Sequence, residues 1–136
     1  MIRAAFALGL VLIATAASAA PNAKGLDAAR KAFVHDVETK NWRGLDGRVA
    51  WPLVVDNYGS PPRLTRAEYL RDHTSLTVYV DAEDLLRCIA HAPATYQSNR
   101  KEFGYGAWAI DCTGNEFYFG GSGGAWRLTA YQNVNE

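Results

Sequence analysis

The sequence has few cysteines, no excess of either charge and no basic stripe. Among its 136 residues are two cysteines and one methionine, and 14 basic residues balance 14 acidic residues. Because the lysines and arginines are scattered along the chain, no electrostatic attraction favours nucleic acid or an anionic membrane surface as a partner. The length is enough for one hydrophobic core and too small for two, which excludes a multi-domain protein.

No apolar run is long enough to span a bilayer, and the N-terminus instead has the order of a secretory signal peptide. Arg3 supplies a positive charge, an apolar run extends from Ala4 to about Ala17, and a small-residue cleavage site follows. The alternative is a membrane anchor, which needs about 20 apolar residues. We predict that residues 1–20 are a signal peptide, that residues 21–136 form one domain, and that the mature chain is periplasmic or secreted, without membrane attachment.

The two cysteines, Cys88 and Cys112, both lie in the part of the chain that cleavage would leave. An exported protein meets an oxidising compartment, in which a disulfide between them would form and persist. Two buried free thiols are one alternative, and a metal site of Cys88, His91 and Cys112 is another. A closed zinc site takes four ligands and the sequence indicates no fourth, so we predict the disulfide, with no metal and no cofactor.

Three segments have the periodicity or the capping residues of helices. Residues 24–40 repeat apolar side chains at three- and four-residue steps, which is typical of an amphipathic helix. Thr65 followed by Glu68 is a capping box, and it predicts a second helix that begins at the residue after Thr65. A third helix is predicted with Asp81 as its N-cap and with Cys88 on its apolar face.

The remaining segments predict strands. VAWPLVVDN, from Val49, is rich in β-branched residues, and Pro52 places this strand at a sheet edge or at its own start. From Tyr96 onward polar and apolar residues alternate, which predicts three strands in an antiparallel meander. The order of elements predicts an α+β fold, with N-terminal helices packed on a curved, mostly antiparallel sheet. In the last strand the predicted inward residues are Trp126, Leu128 and Ala130, and the predicted outward residues are Arg127, Thr129 and Tyr131.

Two glycine-rich segments resemble phosphate-binding loops. GGSGG, residues 120–124, leads into a predicted strand, whereas a phosphate loop leads into the N-terminus of a helix. GYGAWA, residues 104–109, formally matches a dinucleotide-binding fingerprint but also leads into a strand. We therefore predict that GGSGG is a turn between two strands.

Inward-facing aromatic residues are the candidates for lining a pocket. His73 lies four residues after Tyr69 on the inward side of the capped helix, where a histidine could take part in proton transfer. Trp51 and Trp108 could form walls of the same space, and ordinary core tryptophans are the alternative. The predicted ligand-binding residues are Trp51, Tyr69, His73 and Trp108, and no spacing of acids or nucleophiles assigns them a catalytic role.

The outer face of the predicted sheet carries tyrosines and an arginine. Residues of these types are enriched where one protein surface meets another. An ordinary solvated sheet face is the alternative. The predicted interface residues are Tyr105, Asp111, Tyr118, Arg127 and Tyr131.

The order of these parts resembles the nuclear transport factor 2-like superfamily, a cone-shaped α+β fold shared with ketosteroid isomerase, scytalone dehydratase and polyketide cyclases. The segments that carry the resemblance are LDAARKAFVHDVETKNWRGLDGRV, WPLVVDNYG, LTRAEYLRDH and GYGAWAIDCTGNEFYFGGSGGAWRLTAYQNV. The resemblance implies a helix-lined cone, a pocket on the concave face of the sheet and, in many members, dimers through the convex face. The aspartate base and oxyanion donors of the isomerases have no counterpart in this sequence, so no catalytic residue is carried over.

The leading functional hypothesis from the sequence is an exported, non-catalytic domain that binds a protein partner, or a second copy of itself, through the outer sheet face. One alternative is a carrier of small apolar ligands that uses the cone. Another is an isomerase or dehydratase with His73 as its base. All three remain open at this point because the same cone serves enzymes, carriers and interaction modules.

Overall fold

The computed structural model describes residues 22–56, 63–98, 107–122 and 125–134. The predicted signal peptide, residues 1–20, and Tyr105 of the predicted interface lie outside these ranges. The helices are α1 (Leu26–Glu38), α2 (Trp42–Asp46), α3 (Arg66–Arg71), α4 (Thr74–Thr77) and α5 (Glu83–His91). The strands are β1 (Val49–Asp56), β2 (Arg63–Leu64), β3 (Ala94–Gln97), β4 (Ala107–Cys112), β5 (Asn115–Ser122) and β6 (Ala125–Asn133).

The six strands form one open sheet in the order β2-β1-β6-β5-β4-β3. Strands β1 and β6 are parallel, and the other four neighbouring pairs are antiparallel. On the inner face, Phe33 of α1 meets Phe119 of β5 edge-on, with ring centroids 5.8 Å apart, and Ile89 of α5 joins the same buried cluster. The predicted α+β class and the β4–β5–β6 meander are therefore confirmed. None of the described helices combines the length and apolarity needed to cross a membrane.

The helix starts agree with the predicted capping in one case and differ in another. Thr65 caps α3, since its Oγ1 accepts the Glu68 N–H at 3.2 Å while Glu68 Oε2 accepts the Thr65 N–H at 2.8 Å. This confirms the capping box. The prediction of Asp81 as an N-cap is wrong, because α5 begins later and follows Ala82. The Asp81 N–H instead donates to the carbonyl of Thr77, which keeps this residue in the turn that ends α4.

Strand β1 lies inside the sheet, between β2 and β6, so the prediction that Pro52 marks a strand edge or start is wrong. The Trp51–Pro52 peptide bond is cis, and the register with β6 shifts between Val49 and Val54. Proline has no N–H to donate to a neighbouring strand. It is accommodated here because the regular ladder is interrupted around it.

A bulge in β6 shifts the alternation of its side chains. Phe119 pairs with Leu128, whereas the preceding Tyr118 pairs with Ala130, so Thr129 is an extra residue on β6. The Thr129 Oγ1 donates to the carbonyl of Tyr118 at 3.1 Å. Since side chains alternate along a strand, one extra residue moves all that follow to the opposite face.

The bulge reverses two predicted orientations. Tyr131 is only 4% exposed, and its ring centroid lies 5.3 Å from that of Phe117 in the core. Ala130 lies with Tyr118 in a second buried cluster on the outer face. The predictions that Tyr131 faces outward and that Ala130 faces inward are therefore wrong, because alternation alone does not reveal an inserted residue.

The glycine-rich segment lies between two paired strands. Strands β5 and β6 pair as far as Ser122 and Ala125, on either side of residues 123 and 124. A Cβ atom on Gly121 would lie 2.6 Å from the backbone oxygen of Ala125, so the close approach of the strands requires glycine there. Residues 120–122 belong to β5 and a strand follows at Ala125, so the predicted connection of two strands is confirmed, whereas residues 123 and 124 of the predicted turn lie outside the described residues.

A disulfide joins Cys88 of α5 to Cys112 of β4, as predicted, with the Cα atoms 5.8 Å apart. It connects the helix layer to the inner face of the sheet. Because the two sulfurs are bonded to each other, neither is a thiolate that could bind a metal. This overturns the alternative of a metal site with His91.

Two buried charged residues, Arg30 and Asp36, tie α1 to its neighbours. The Asp36 carboxylate accepts from Arg48, which precedes β1, and from Asn41 Nδ2 at 3.0 Å. A Cβ on Gly44 would lie 2.8 Å from Asp36 Oδ2, so the absence of a side chain leaves room for this network. Arg30 donates to carbonyl oxygens at the end of α5. Both charges thus have the partners that buried charges require.

Candidate functional site

A pocket opens beside the β2 edge of the sheet, where β1 and β2 meet α3 and α4. Its volume is about 380 Å³, within the range of roughly 300–1,000 Å³ that is usual for small-molecule sites. We call it the edge pocket. Its apolar lining residues are Val55, Leu64, Val78 and Tyr79. Its polar lining residues are Arg63, Glu68, Arg71, Asp72 and Ser75.

The apolar part of the edge pocket is continuous with the core. Val55 and Leu64 are buried, whereas Val78 is 65% exposed at the rim. The ring centroid of Tyr79 lies 5.0 Å from that of Tyr131. Burial raises the pKa of Tyr131, so its ring contributes a neutral wall behind Tyr79. The bulge in β6 therefore helps to build the pocket, because it turns Tyr131 inward.

Two arginines in the edge pocket lack a hydrogen bond or ion pair with the described residues. Arg63 and Arg71 make no hydrogen bond and no ion pair with any residue of the described ranges. Other arginines do: Arg66, in the same helix as Arg71, forms an ion pair with Asp46 at 2.7 Å. The guanidinium groups of Arg63 and Arg71 are therefore available to a bound anion.

The two acids of the edge pocket are held by their own turns. Glu68 Oε2 accepts from the N–H and the hydroxyl of Thr65, and these bonds hold the pKa of Glu68 below its usual value. Asp72 Oδ1 accepts from the hydroxyl and the N–H of Thr74 at 2.6 and 3.0 Å, which likewise lowers the pKa of Asp72. Both carboxylates are ionised at neutral pH, but their local partners already occupy part of their hydrogen-bonding capacity.

Ser75 contributes a hydroxyl that lacks a partner. Its Oγ atom is buried and forms no hydrogen bond within the part of the chain that the structure describes. Its N–H donates to the carbonyl of Asp72 at 3.1 Å, which fixes the residue in the first turn of α4. A buried polar group without a partner costs about 1–3 kcal/mol, so the position favours a ligand atom that would complete the bond.

On the other side of α3, four aromatic rings form a stack that we call the aromatic cluster: Trp42, Trp51, Tyr69 and His73. The Tyr69 ring centroid lies 5.1 Å from that of Trp51 and 5.0 Å from that of His73. The rings of Trp42 and His73 are stacked, with centroids 5.0 Å apart. The structure thus brings together three of the four predicted ligand-binding residues and adds Trp42, which sequence reasoning missed.

The hydroxyl of the aromatic cluster is already used in a hydrogen bond within the protein. The Tyr69 hydroxyl donates to the Trp42 carbonyl at 2.7 Å. Burial, with smaller contributions from Asp46 and Asp36, raises the pKa of Tyr69 to about 12, so the phenol stays protonated. The His73 ring makes no hydrogen bond with a residue in the described ranges. The cluster is a packed layer of rings, and it lacks the base–orienter pair that proton transfer requires.

Asp46 connects the aromatic cluster to α3, and we predict an acid-dependent effect for its replacement. Its hydrogen bonds to Arg66, and then to Trp51, hold the pKa of Asp46 below its unfolded value. A lowered carboxyl pKa stabilises the fold above about pH 4, and this contribution is lost as pH falls through the folded-state pKa. Asp46→Asn should therefore destabilise the protein in urea unfolding at pH 7, and the difference from the wild type should shrink at pH 2.5.

The control for this prediction is Asp56→Asn, at the exposed end of β1. Asp56 forms no hydrogen bond or ion pair with the described residues, so this variant should leave the urea midpoint at pH 7 nearly unchanged. An Asp46→Asn variant as stable as the wild type at pH 7, or one whose deficit grows as pH falls, would contradict the assigned role of Asp46.

The structure separates Trp108 from the other predicted ligand-binding residues. Strand β4, which carries Trp108, is separated from β1 by two strands, β6 and β5. The ring centroid of Trp108 is 5.6 Å from that of Tyr96 in β3. Trp108 therefore lies toward the β3 end of the sheet, away from the aromatic cluster, although Trp51 and Trp108 both pack against the same buried core.

The outer face of the sheet is less open than the sequence predicts. Tyr118 is 1% exposed, and its hydroxyl donates to Glu116. Asp111 is exposed at the end of β4. Arg127 is exposed too, and its Nε donates to the Gly47 carbonyl at 3.3 Å. With Tyr131 in the core, two of the four predicted interface residues in the described ranges remain exposed on this face.

Sequence reasoning missed the edge pocket, although one signal pointed toward it. Glu68 and Arg71 lie one turn apart in α3, Asp72 follows the end of α3 and Ser75 lies in α4, so a short polar stretch of the chain forms one polar face of the pocket. Such a polar face is ordinarily solvated. What makes it a pocket wall is β2, which brings Arg63 opposite that face, and no local pattern predicts a two-residue strand.

No three side chains of the types His, Cys, Asp and Glu group into a possible metal site within the described ranges. No protein-family model, curated protein or solved structure matches this chain. Its function is therefore inferred from its own side chains and their geometry.

Proposed function

We propose that the chain is an exported, non-catalytic binding domain of the nuclear transport factor 2-like superfamily, and that it holds a small, largely apolar ligand in the edge pocket. The observation that carries the proposal is the pocket of about 380 Å³ with an apolar floor of Val55 and Leu64. Small-molecule sites are mostly apolar cavities with a few convergent polar groups, and the edge pocket has both components.

The order of the elements supports the superfamily and its cone. Helices α1 and α2 precede β1, α3 to α5 follow β2, and β3 to β6 end the domain, with α1 and α5 packed on the inner face. The Cys88–Cys112 disulfide supports export, because such bonds persist in oxidising compartments. The signal-peptide pattern of residues 1–20 agrees with it.

The edge pocket supports a ligand carrier better than the outer face supports a protein partner. On the outer face Tyr118 is buried, and Tyr131 belongs to the core. A partner protein, or a second copy, would have to rely on Asp111 and Arg127. An isomerase or dehydratase would need a positioned base, whereas the ring of His73 is packed against Trp42 and Tyr69.

Val78→Trp is expected to weaken ligand binding while the fold persists. Val78 is exposed at the rim, so a larger side chain is tolerated there and occupies the mouth of the pocket. Isothermal titration calorimetry with decanoate, decan-1-ol and decylamine measures binding. At least one probe should bind the wild type, and the variant should bind it about tenfold more weakly, which corresponds to about 1.4 kcal/mol.

The matched control is Leu70→Trp. Leu70 is 49% exposed on α3 but does not line the edge pocket. This variant should bind the same probe as tightly as the wild type does. Failure of all three probes to bind the wild type, or equal binding by Val78→Trp and Leu70→Trp, would refute the edge pocket as the ligand site.

A further inference from the structure

We propose that the ligand of the edge pocket is an amphipathic anion, a carboxylate on an apolar chain, whose head group is bound by Arg63, Arg71 and Ser75. The inference rests on the proposed binding function and adds the chemical class of the ligand. It comes from the three polar groups of the pocket that have no partner within the described ranges.

The arginines select the charge of the head group. A guanidinium donates two parallel N–H groups, and their geometry fits the two oxygens of a carboxylate. Arg48, Arg66 and Arg87 meet this need with protein carboxylates, whereas Arg43, outside the pocket, has no such pair with a described residue. Arg63 and Arg71 line the same pocket without such a pair among the described residues, so a ligand carboxylate would complete their bonds.

Ser75 provides an independent indication of a ligand oxygen. Its Oγ is buried in the wall of the pocket and has no hydrogen-bond partner among the described residues. A serine hydroxyl donates one hydrogen bond, and a carboxylate oxygen accepts it. The same bound head group would therefore satisfy this hydroxyl and the two guanidinium groups.

Glu68 and Asp72, the acids of the pocket, do not reverse the preference for an anionic head group. Thr65 and Thr74 donate to Glu68 and Asp72, whereas no described residue accepts a hydrogen bond from the two guanidinium groups, although the charge of Arg71 acts on Glu68. A cationic ligand would have to compete with these local bonds. It would also lie beside Arg63 and Arg71, which would repel it.

The volume and the apolar lining of the edge pocket limit the length of the ligand's alkyl chain. A pocket of about 380 Å³ holds roughly a dozen water-sized groups at ~30 Å³ each. Leu64, Val55 and Tyr79 provide the surface on which an alkyl chain would be buried. A ten-carbon carboxylate is therefore a suitable probe.

The first test compares decanoate, decan-1-ol and decylamine on the wild-type protein by calorimetry. Decanoate should bind about tenfold more tightly than decan-1-ol, and decylamine should bind most weakly. Raising the salt concentration from 0.1 to 1 M shortens the Debye length from about 10 to about 3 Å, so it should weaken decanoate binding and leave decan-1-ol binding in place.

The second test replaces both arginines. Arg63→Gln/Arg71→Gln should weaken decanoate binding about 20-fold and leave decan-1-ol binding unchanged, since each exposed pair contributes up to about fivefold. The control is Arg43→Gln/Arg87→Gln, which removes the same charge from positions outside the pocket. This control should bind decanoate within about twofold of the wild type.

The third test separates a ligand-binding serine from a structural one. Ser75→Ala should raise the melting temperature of the ligand-free protein by a few degrees, because it removes a buried hydroxyl without a partner. The same variant should bind decanoate about fivefold more weakly. A lower melting temperature, or unchanged decanoate affinity, would overturn the role of Ser75.

The outcomes distinguish the ligand class from the binding function. Equal affinities for decanoate and decan-1-ol, both reduced by Val78→Trp, would overturn the anionic class and leave the pocket as a binding site. Tighter binding of decylamine than of decanoate would also overturn the anionic class, because it would show that Glu68 and Asp72 bind a cationic head group. The absence of binding by any probe would overturn the binding function itself, and the ligand class with it.

Discussion

Replacement of Arg30 by methionine is expected to lower the free energy of unfolding by about 3 kcal/mol. Arg30 is 5% exposed, and it donates from Nε to the Ile89 carbonyl and from Nη2 to the carbonyls of Cys88 and Ala92. Pro93 stands four residues after Ile89 and has no N–H, so the helix itself cannot satisfy that carbonyl. Methionine fills a similar volume but donates nothing, which would leave buried carbonyl oxygens without partners.

The charge of Arg30 adds to this effect. The C-terminus of a helix carries a partial negative charge, and a cation placed there is stabilising. Burial lowers the pKa of Arg30 from its usual value, yet a guanidinium remains protonated at neutral pH. Arg30 therefore acts as a cap for α5 that comes from α1, and it holds the two helices together.

Urea unfolding of Arg30→Met, followed by tryptophan fluorescence, measures the loss. Lys31→Met is the matched control, because Lys31 is the next residue of α1 and its ion pair with Asp27 is exposed. This control should leave the unfolding midpoint almost unchanged. A loss of less than about 1 kcal/mol for Arg30→Met would show that water or a rearranged α5 terminus replaces the arginine.

Removal of the disulfide is expected to cost about 3.5 kcal/mol on the chain-entropy estimate. The bond joins residues 24 positions apart and links α5 to β4. Without the disulfide, the unfolded chain has a higher conformational entropy, because no closed loop restricts it. The double variant Cys88→Ala/Cys112→Ala should therefore unfold at a clearly lower urea concentration than the wild type.

Reduction provides the control, since it opens the bond without changing the sequence. Wild-type protein in dithiothreitol should match the stability of the double variant, and the double variant should be insensitive to the reagent. Alkylation of the denatured, unreduced protein with iodoacetamide should leave both cysteines unmodified. Two alkylated thiols in exported protein would contradict the bond, and they would also remove the support that it lends to export.

The features that could be predicted from the sequence depend on residues close together in the chain. The capping box needs Thr65 and Glu68 three residues apart, and the structure has both of its hydrogen bonds. The amphipathic period of α1 requires only its own side chains. The disulfide was predictable because the chain has two cysteines and a signal-peptide pattern, and an exported protein meets an oxidising compartment. In the first two cases the physical interaction is local, or follows from a periodic pattern.

The features that could not be predicted depend on a neighbouring strand. The extra residue at Thr129 exists only in the register between β5 and β6, so the alternation of AWRLTAYQ assigned Tyr131 to the wrong face. Pro52 is typical of an edge, but the irregular pairing of β1 with β6 accommodates it inside the sheet. Propensity cannot anticipate such interruptions, because they are properties of two strands together.

In the candidate site, too, some features could be predicted from the sequence and others could not. The sequence indicated that Trp51, Tyr69 and His73 lie together, and their rings do meet. It did not indicate that these rings would be packed on one side of α3 while Arg71 and Ser75 line a pocket on the other. Helical spacing specifies which residues share a face, whereas only the elements that pack nearby decide which face is covered.

By itself, the sequence determined the α+β class, the helix cap at Thr65, the connection of β5 to β6 as consecutive strands and the pairing of Cys88 with Cys112. Only the tertiary structure decided where the chain has an open pocket. The parallel β1–β6 pair, the bulge at Thr129 and the two-residue β2 together create the edge pocket. The reason is physical: periodicity and capping act within a few residues, whereas register and burial arise from contacts between segments that are distant in the chain.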